Sequence, residues 1–196
     1  MKPETLETPE TPETLETLET HETFKTLETQ QLPMLHIGLL SDTHSSIHPR
    51  ILDFFVGCDE IWHAGDIGNA ETADKLAAFK PLKAVYGNID GTELRSMFPR
   101  YQVFSCEGVK VLMTHIGGYP GKYEKEARLM IESEKPAIFV CGHSHILKVM
   151  YDKKHELLHI NPGAAGNSGF HHVITCVRFV IDGKDIRALE VFEKQR

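Results

Sequence analysis

The run Leu35-His36-Ile37-Gly38-Leu39-Leu40, followed at once by Ser41-Asp42-Thr43-His44, decides how the rest of this 196-residue chain is read. Its first part is mostly apolar and of strand length, so it reads as a buried β-strand. Its second part sets a carboxylate and an imidazole where that strand ends. The pattern returns four times. Residues 61–64 lead to Gly65-Asp66, residues 82–86 to Gly87-Asn88-Ile89-Asp90, residues 109–114 to His115, and residues 137–141 to Gly142-His143-Ser144-His145. Each strand delivers metal-capable side chains at its C-terminal end, and in α/β sheets those ends form the rim where ligands bind.

Between these strands lie helical stretches at 49–55, at 70–79 with Asn69 as N-cap, and at 123–133, stopped before Pro136. After Ser144 the texture changes to short strands joined by turns. Residues 146–151 and 156–160 flank Asp152-Lys153-Lys154, and residues 173–181 and 186–192 flank Asp182-Gly183-Lys184. A first half that alternates strand and helix and a second half of hairpins predict an α/β (α+β) domain. Its sheets should pack face to face with helices outside.

An Asp after a strand is usually a turn former, and a lone His beside an apolar run is usually structural. Five such strand ends in succession are another matter. Asp42 and His44, and likewise His143 and His145, stand at i and i+2, a spacing that in an extended loop puts both side chains on one face. Imidazole, carboxylate and amide without thiolate suit Mn, Fe, Zn, Ni or Co rather than a structural zinc. Seven donors exceed what one tetrahedral ion takes and match two ions ~3.5 to 4 Å apart, a device for activating water and stabilising a phosphoryl displacement. Two divalent ions against the two carboxylates leave the site cationic, so it should attract phosphate.

The ordered set Asp42-x-His44, Gly65-Asp66, Gly87-Asn88, His115 and Gly142-His143-x-His145 resembles the calcineurin-like metallophosphoesterase superfamily. The small size and Asn161-Pro162-Gly163 are similar to its compact bacterial and archaeal phosphodiesterase group, which also contains the retromer scaffold subunit. The resemblance spans about residues 35 to 192. It implies a four-layer metallophosphoesterase fold, two mixed β-sheets packed as a sandwich and flanked by α-helices. It also implies that Asp42, His44, Asp66 and His145 hold one metal and Asp66, Asn88, His115 and His143 the other, with Asp66 as the bridge. A hydroxide between the ions then attacks phosphorus in line, and no residue becomes covalently attached. The expected function is a dinuclear-metal-dependent phosphoesterase, a phosphodiesterase first, with manganese the leading ion and nickel, iron, zinc, cobalt or magnesium as alternatives. The alternative is a catalytically weak protein-binding scaffold of the same fold.

Two departures from that family stand out. Many members carry a His after the Asn, where this chain has Ile89 and then Asp90, and Asn-Pro-Gly-Ser is here Asn161-Pro162-Gly163-Ala164. The following glycine-rich loop, Gly166 and Gly169 with His171-His172, has two readings, a plain structural turn, which is favoured, and a loop that approaches the site. His63 and Asp90 are the candidates to assist catalysis, and Tyr119, Lys122 and Tyr123, after His115, are candidates for substrate contact. His36, His48, His155 and His159 follow no ligand pattern and read as structural or surface residues.

Residues 1–33 repeat in threes, Glu-Thr-Leu or Glu-Thr-Pro, a period that matches neither helix nor strand and gathers no apolar face. They read as a disordered tail before a single domain at 34–196. The tail holds eight glutamates against Lys2 and Lys25, so it carries −6 of the net −7 and the body is nearly neutral. No basic stripe for sequence-specific nucleic-acid binding is present, and no apolar run is long enough to span a membrane. Cys58, Cys106, Cys141 and Cys176 are widely separated, which predicts reduced thiols and a cytoplasmic protein acting on a small phosphate ester. Association into a homo-oligomer stays open. Deleting residues 1–33 should leave melting temperature and turnover unchanged. A fall of more than a few degrees would show that the segment docks on the body.

Overall fold

A computed structural model describes residues 34–196, so the reading of residues 1–33 as a tail lies outside the described residues. In chain order the elements are β1 (Leu35–Leu40), α1 (Pro49–Phe54), β2 (Glu60–His63), α2 (Ala70–Phe79), β3 (Leu82–Ala84), α3 (Thr92–Met97), β4 (Tyr101–Cys106) and β5 (Val109–Thr114). They continue with β6 (Gly118–Tyr119), β7 (Lys122–Tyr123), α4 (Lys125–Glu134), β8 (Ile138–Val140), β9 (Leu147–Asp152), β10 (Leu157–Pro162), β11 (Val173–Asp182) and β12 (Asp185–Gln195). None of the described helices is long and apolar enough to cross a membrane.

Two mixed five-stranded sheets result, in the orders β12-β11-β1-β2-β3 and β4-β5-β8-β10-β9. In the first, β1, β2 and β3 run parallel while β11 lies antiparallel to β1. In the second, β5, β8 and β10 run parallel, with β4 and β9 antiparallel at the edges. Side-chain alternation explains why both faces of the central strands are apolar. Ile37 and Leu39 of β1 point between the sheets, where they meet Val111, Met113 and Val140, while Leu40 packs outward with Ile51, Phe55 and Leu76. On the second sheet Leu112 and Phe139 pack outward against Ala127 and Ile131 of α4. The layers are therefore helix, sheet, sheet, helix, as expected. Trp62 fills the space between the sheets, edge-on to Phe104 at 5.0 Å and to Phe179 at 5.7 Å.

Asn69 caps α2 by accepting from the Thr72 amide, as its position predicts. The expected helix at 123–133 begins later, because Glu124 caps it and Tyr123 belongs to β7. Four elements were not anticipated, α3, the edge strand β4 and the two short strands β6 and β7. β4 is half-exposed and lacks a fully apolar run. Its signal was the two-residue turn Glu107-Gly108, both at positive φ, which joins it to β5 as a tight hairpin.

His159 of β10 is buried beside Phe139 and Tyr123, and neither ring nitrogen has a partner among the described residues. Burial, reinforced by Lys148 and opposed by Asp152, lowers its pKa to about 4. The folded chain thus resists a proton that the unfolded chain accepts near pH 6.5, so stability is full above that value and falls as pH drops toward 4. His159→Leu should reduce the loss of melting temperature between neutral pH and pH ~5. It should not abolish it, because buried His63 is lowered to about 4 as well. An unchanged pH slope in the variant would refute this role.

Candidate metal centre

Parallel pairing puts the C-terminal ends of β1, β2 and β3 on one edge of the first sheet, and those of β5, β8 and β10 on one edge of the second. All seven expected donors follow these ends. The loops that carry them are laced together through the backbone. Asp42 N donates to Gly65 O (2.9 Å), His44 N to Asp66 O (3.1 Å), Gly142 N to His115 O (2.9 Å) and Gly166 N to Asp42 O (3.1 Å).

The chain is not extended at the donors, which corrects the expectation from the i, i+2 spacing. Asp42, His44, Asp66, His143 and His145 all have positive φ, between 46° and 68°. Such conformations cost non-glycine residues ~1 to 2 kcal/mol each, and here they turn the chain sharply as it leaves the strand. The neighbouring glycines admit the close approach that results. A Cβ on Gly142 would collide with Ser41 Oγ, and one on Gly87 with Asp66 Oδ1.

Asp42 is fully buried. Its Oδ2 accepts from the His143 amide at 3.1 Å, but Oδ1 has no hydrogen-bond partner. Around that oxygen stand the Nε2 atoms of His145 at 3.1 Å, His115 at 3.9 Å and His44 at 4.0 Å. His44 Nε2 is likewise buried and unpartnered, and lies 3.8 Å from Asp66 Oδ2. His115 offers Nδ1 to Ala64 O at 2.8 Å, which assigns the proton to that nitrogen and leaves the Nε2 lone pair facing Asp66 Oδ1 (3.2 Å) and Asn88 Oδ1 (3.1 Å). Acceptors thus face acceptors, an arrangement that only cations resolve.

Burial alone would lower the His115 pKa, yet its hydrogen bond to Asp66 and the charge of Asp42 raise it on balance. Asp66 is lowered for the same reason, its burial outweighed by His115. The donor atoms of Asp42, His44 and His145 lie within 4.8 Å of one another, and so do those of Asp42, Asp66 and His115. This donor set fits divalent ions.

Asn88 and His143 sit at the exposed mouth, the His143 ring edge-on to His115 at 5.3 Å. An open cleft of about 490 Å³ exposes His44, Asp66, Asn88, His143 and His145 and is bordered by Ile89, Ile146 and Phe170. Among the described residues neither lysine nor arginine lines it. Arg95 and Arg100 wall a smaller adjoining pocket, but Arg95 is committed to the carbonyl of Asp90 at 2.6 Å and Arg100 to Glu126 at 2.8 Å.

His63 and Asp90, the residues expected to assist, stand off the cleft. His63 is fully buried, accepts from Gly65 N at 3.1 Å and meets Thr43 Oγ1 at 2.9 Å. The Asp90 carboxylate is buried and accepts from the amides of Ile67 (3.2 Å), Gly68 (2.8 Å) and Gly87 (2.7 Å). Both brace loops. Tyr119, Lys122 and Tyr123 form a small hairpin outside the cleft, where Tyr123 donates to Asp152 at 2.9 Å.

One support was not anticipated. Asn161 spans Gly142 O (2.8 Å) and Ser144 Oγ (3.1 Å), fixing the turn that carries His143 and His145. The glycine-rich loop after it approaches the site, the less favoured of its two readings, and His171 touches His145 Nδ1 at 3.1 Å. The paired histidines were the available signal.

Comparison with known proteins agrees with this geometry. Residues 35–184 match the calcineurin-like phosphoesterase superfamily domain. A "Probable metallophosphoesterase" of Methanothermobacter thermautotrophicus is 28% identical over 136 residues, 65% of this chain and 76% of that protein. Among solved structures, Vacuolar Protein Sorting 29 from Cryptosporidium parvum superposes with a TM-score of 0.65 at 17% identity, over 83% of this chain and 99% of the other. An archaeal phosphodiesterase does so with a TM-score of 0.64 at 20% identity, over 81% and 100%. Those two likenesses establish the fold alone. With the superfamily pattern spanning every strand end described above, the chain belongs to the calcineurin-like phosphoesterase superfamily.

Proposed function

We propose that this phosphoesterase is a two-metal phosphodiesterase of the cytoplasm, in which Asp42, His44, Asp66 and His145 hold one ion and Asp66, Asn88, His115 and His143 the other. The observation that carries this reading is the buried Asp42 Oδ1, ringed by three imidazole nitrogens and hydrogen-bonded to none. Asp66 suits the bridge because its two oxygens face different histidines, Oδ1 toward His115 and Oδ2 toward His44. The Ile89 amide steadies that carboxylate by donating to Oδ1 at 3.1 Å. When bound, a pair of divalent ions supplies an activated water and stabilises both the attacking and the departing oxygen. Manganese leads the candidates. Four buried free thiols support a reducing compartment.

The chain's own residues then set substrate preference. Ile89 occupies the position where a proton donor to the departing oxygen would stand, and it is 47% exposed at the cleft wall. His63 and Asp90 are turned away, and both His171 nitrogens are engaged. Leaving groups must therefore depart without a side-chain acid, whose help is typically worth ~10²- to 10⁴-fold. The apolar border of Ile89, Ile146 and Phe170 suits an aryl or other apolar ester group. A cleft without lysine or arginine offers little to the second charge of a monoester.

Asp66→Asn should lower occupancy of both ions and reduce turnover by orders of magnitude while the fold survives. Full activity with two metals bound would contradict the bridge. Aryl phosphodiesters should be cleaved much faster than dialkyl diesters or aryl monoesters, and Ile89→His should narrow the gap between good and poor leaving groups. A flat dependence on leaving-group pKa, measured where chemistry limits the rate, would overturn the argument from Ile89 and leave the metal assignment standing. A protein that takes up metal but cleaves no ester would favour the scaffold reading.

A further inference from the structure

His171 lies 26 positions beyond His145, on the loop after β10, and its ring meets the His145 ring edge-on with centroids 5.0 Å apart. Its Nε2 faces the carbonyl of Gly166 at 3.0 Å. A carbonyl only accepts, so that nitrogen carries the proton and His171 Nδ1 is left with a lone pair. This Nδ1 is 3.1 Å from His145 Nδ1. Between two nitrogens at that distance one proton must sit, and it belongs to His145. The His145 lone pair is then on Nε2, the atom that stands 3.1 Å from the buried Asp42 Oδ1. The chain of protons thus runs from His145 Nδ1 to His171 Nδ1 and from His171 Nε2 to Gly166 O.

The surroundings hold this relay in place. A Cβ on Gly169 would collide with the His145 ring, so the missing side chain is what lets the loop approach. Arg196 donates to the carbonyls of Gly169 (2.7 Å) and His171 (3.3 Å), and its amide to His172 O (3.1 Å), tying the loop to the end of β12. Gly166 N in turn donates to Asp42 O, so the acceptor that orients His171 is fixed to the loop carrying the carboxylate.

We propose that His171 is a positioning residue that locks His145 in the tautomer with a bare Nε2 and so sets the affinity of one ion site. This rests on the metal reading under Proposed function. A partner on the remote nitrogen of a ligating histidine fixes ring orientation and raises ligand basicity, and its loss typically costs ~10- to 100-fold in metal affinity. Imidazole is a stronger acceptor than the backbone carbonyl that serves His115, so the effect should fall on the His145 site.

The test compares the full chain with His171→Leu, which deletes the acceptor, and His171→Asn, whose Oδ1 can accept the same N–H. Metal-free protein is titrated with Co²⁺ alone, followed by its visible absorption, and ring-nitrogen chemical shifts of His145 are recorded before metal is added. The expected result is a loss of ~10- to 100-fold for one of two Co²⁺ sites in the Leu variant. The Asn variant should stay within a few-fold of wild type, melting temperatures should be similar, and wild-type His145 should be protonated at Nδ1. Equal affinities in wild type and the Leu variant, equal losses in both variants, or a wild-type proton on His145 Nε2 would overturn the inference. A wild-type chain that takes up no Co²⁺ would overturn the metal reading itself, and the nitrogen shifts, read without metal, separate that from a failure of His171 alone.

Discussion

The Asp42 carboxylate is the constraint on which the rest of this structure turns. It is fully buried, one oxygen is held by a backbone amide, and the other faces three imidazole nitrogens without a hydrogen bond to any of them among the described residues. A buried carboxylate without compensating charge costs several kcal/mol. A divalent cation beside that oxygen would remove the cost, which is why the donor set fits a metal.

Holding those donors in place requires backbone conformations that the chain does not favour by itself. Five of the seven donors sit at positive φ, and they persist because the loops are cross-linked by amide-to-carbonyl bonds from one strand end to the next. Asp90 and Asn161 extend that bracing with their side chains, one gathering three amides and the other bridging the turn after β8. Polar groups near the site thus divide by geometry. Those whose atoms are used up by the backbone support, and those with bare lone pairs bind.

The fold is shared with Vacuolar Protein Sorting 29 and with an archaeal phosphodiesterase, at identities that carry architecture and nothing finer. Function must therefore be argued from the site. Here five of the seven expected donors line one cleft, its border is apolar, and among the described residues no lysine or arginine lines it. These features narrow the chemistry in a way the fold does not.

The sequence by itself determined the two-sheet architecture and which polar residues stand at the strand ends, because strand length, apolar content and the residue ending each strand are local properties. Leu35–Leu40 and Val109–Thr114 are strands with the bounds their runs indicate, and Asn69 caps its helix. It missed β4, an edge strand whose half-exposed residues lack that local signal, and it treated the donor loops as extended because spacing says nothing about φ. Tertiary structure alone decided what each polar group does with its protons. His63 and Asp90 accept from backbone amides of the donor loops, and His171 meets the ring of His145, contacts that no local pattern specifies. The physical reason is that a ring's role depends on which acceptor meets each nitrogen. For His115 and His145 those acceptors lie 51 and 26 residues away, brought within 3.1 Å only by the packing of the strand ends.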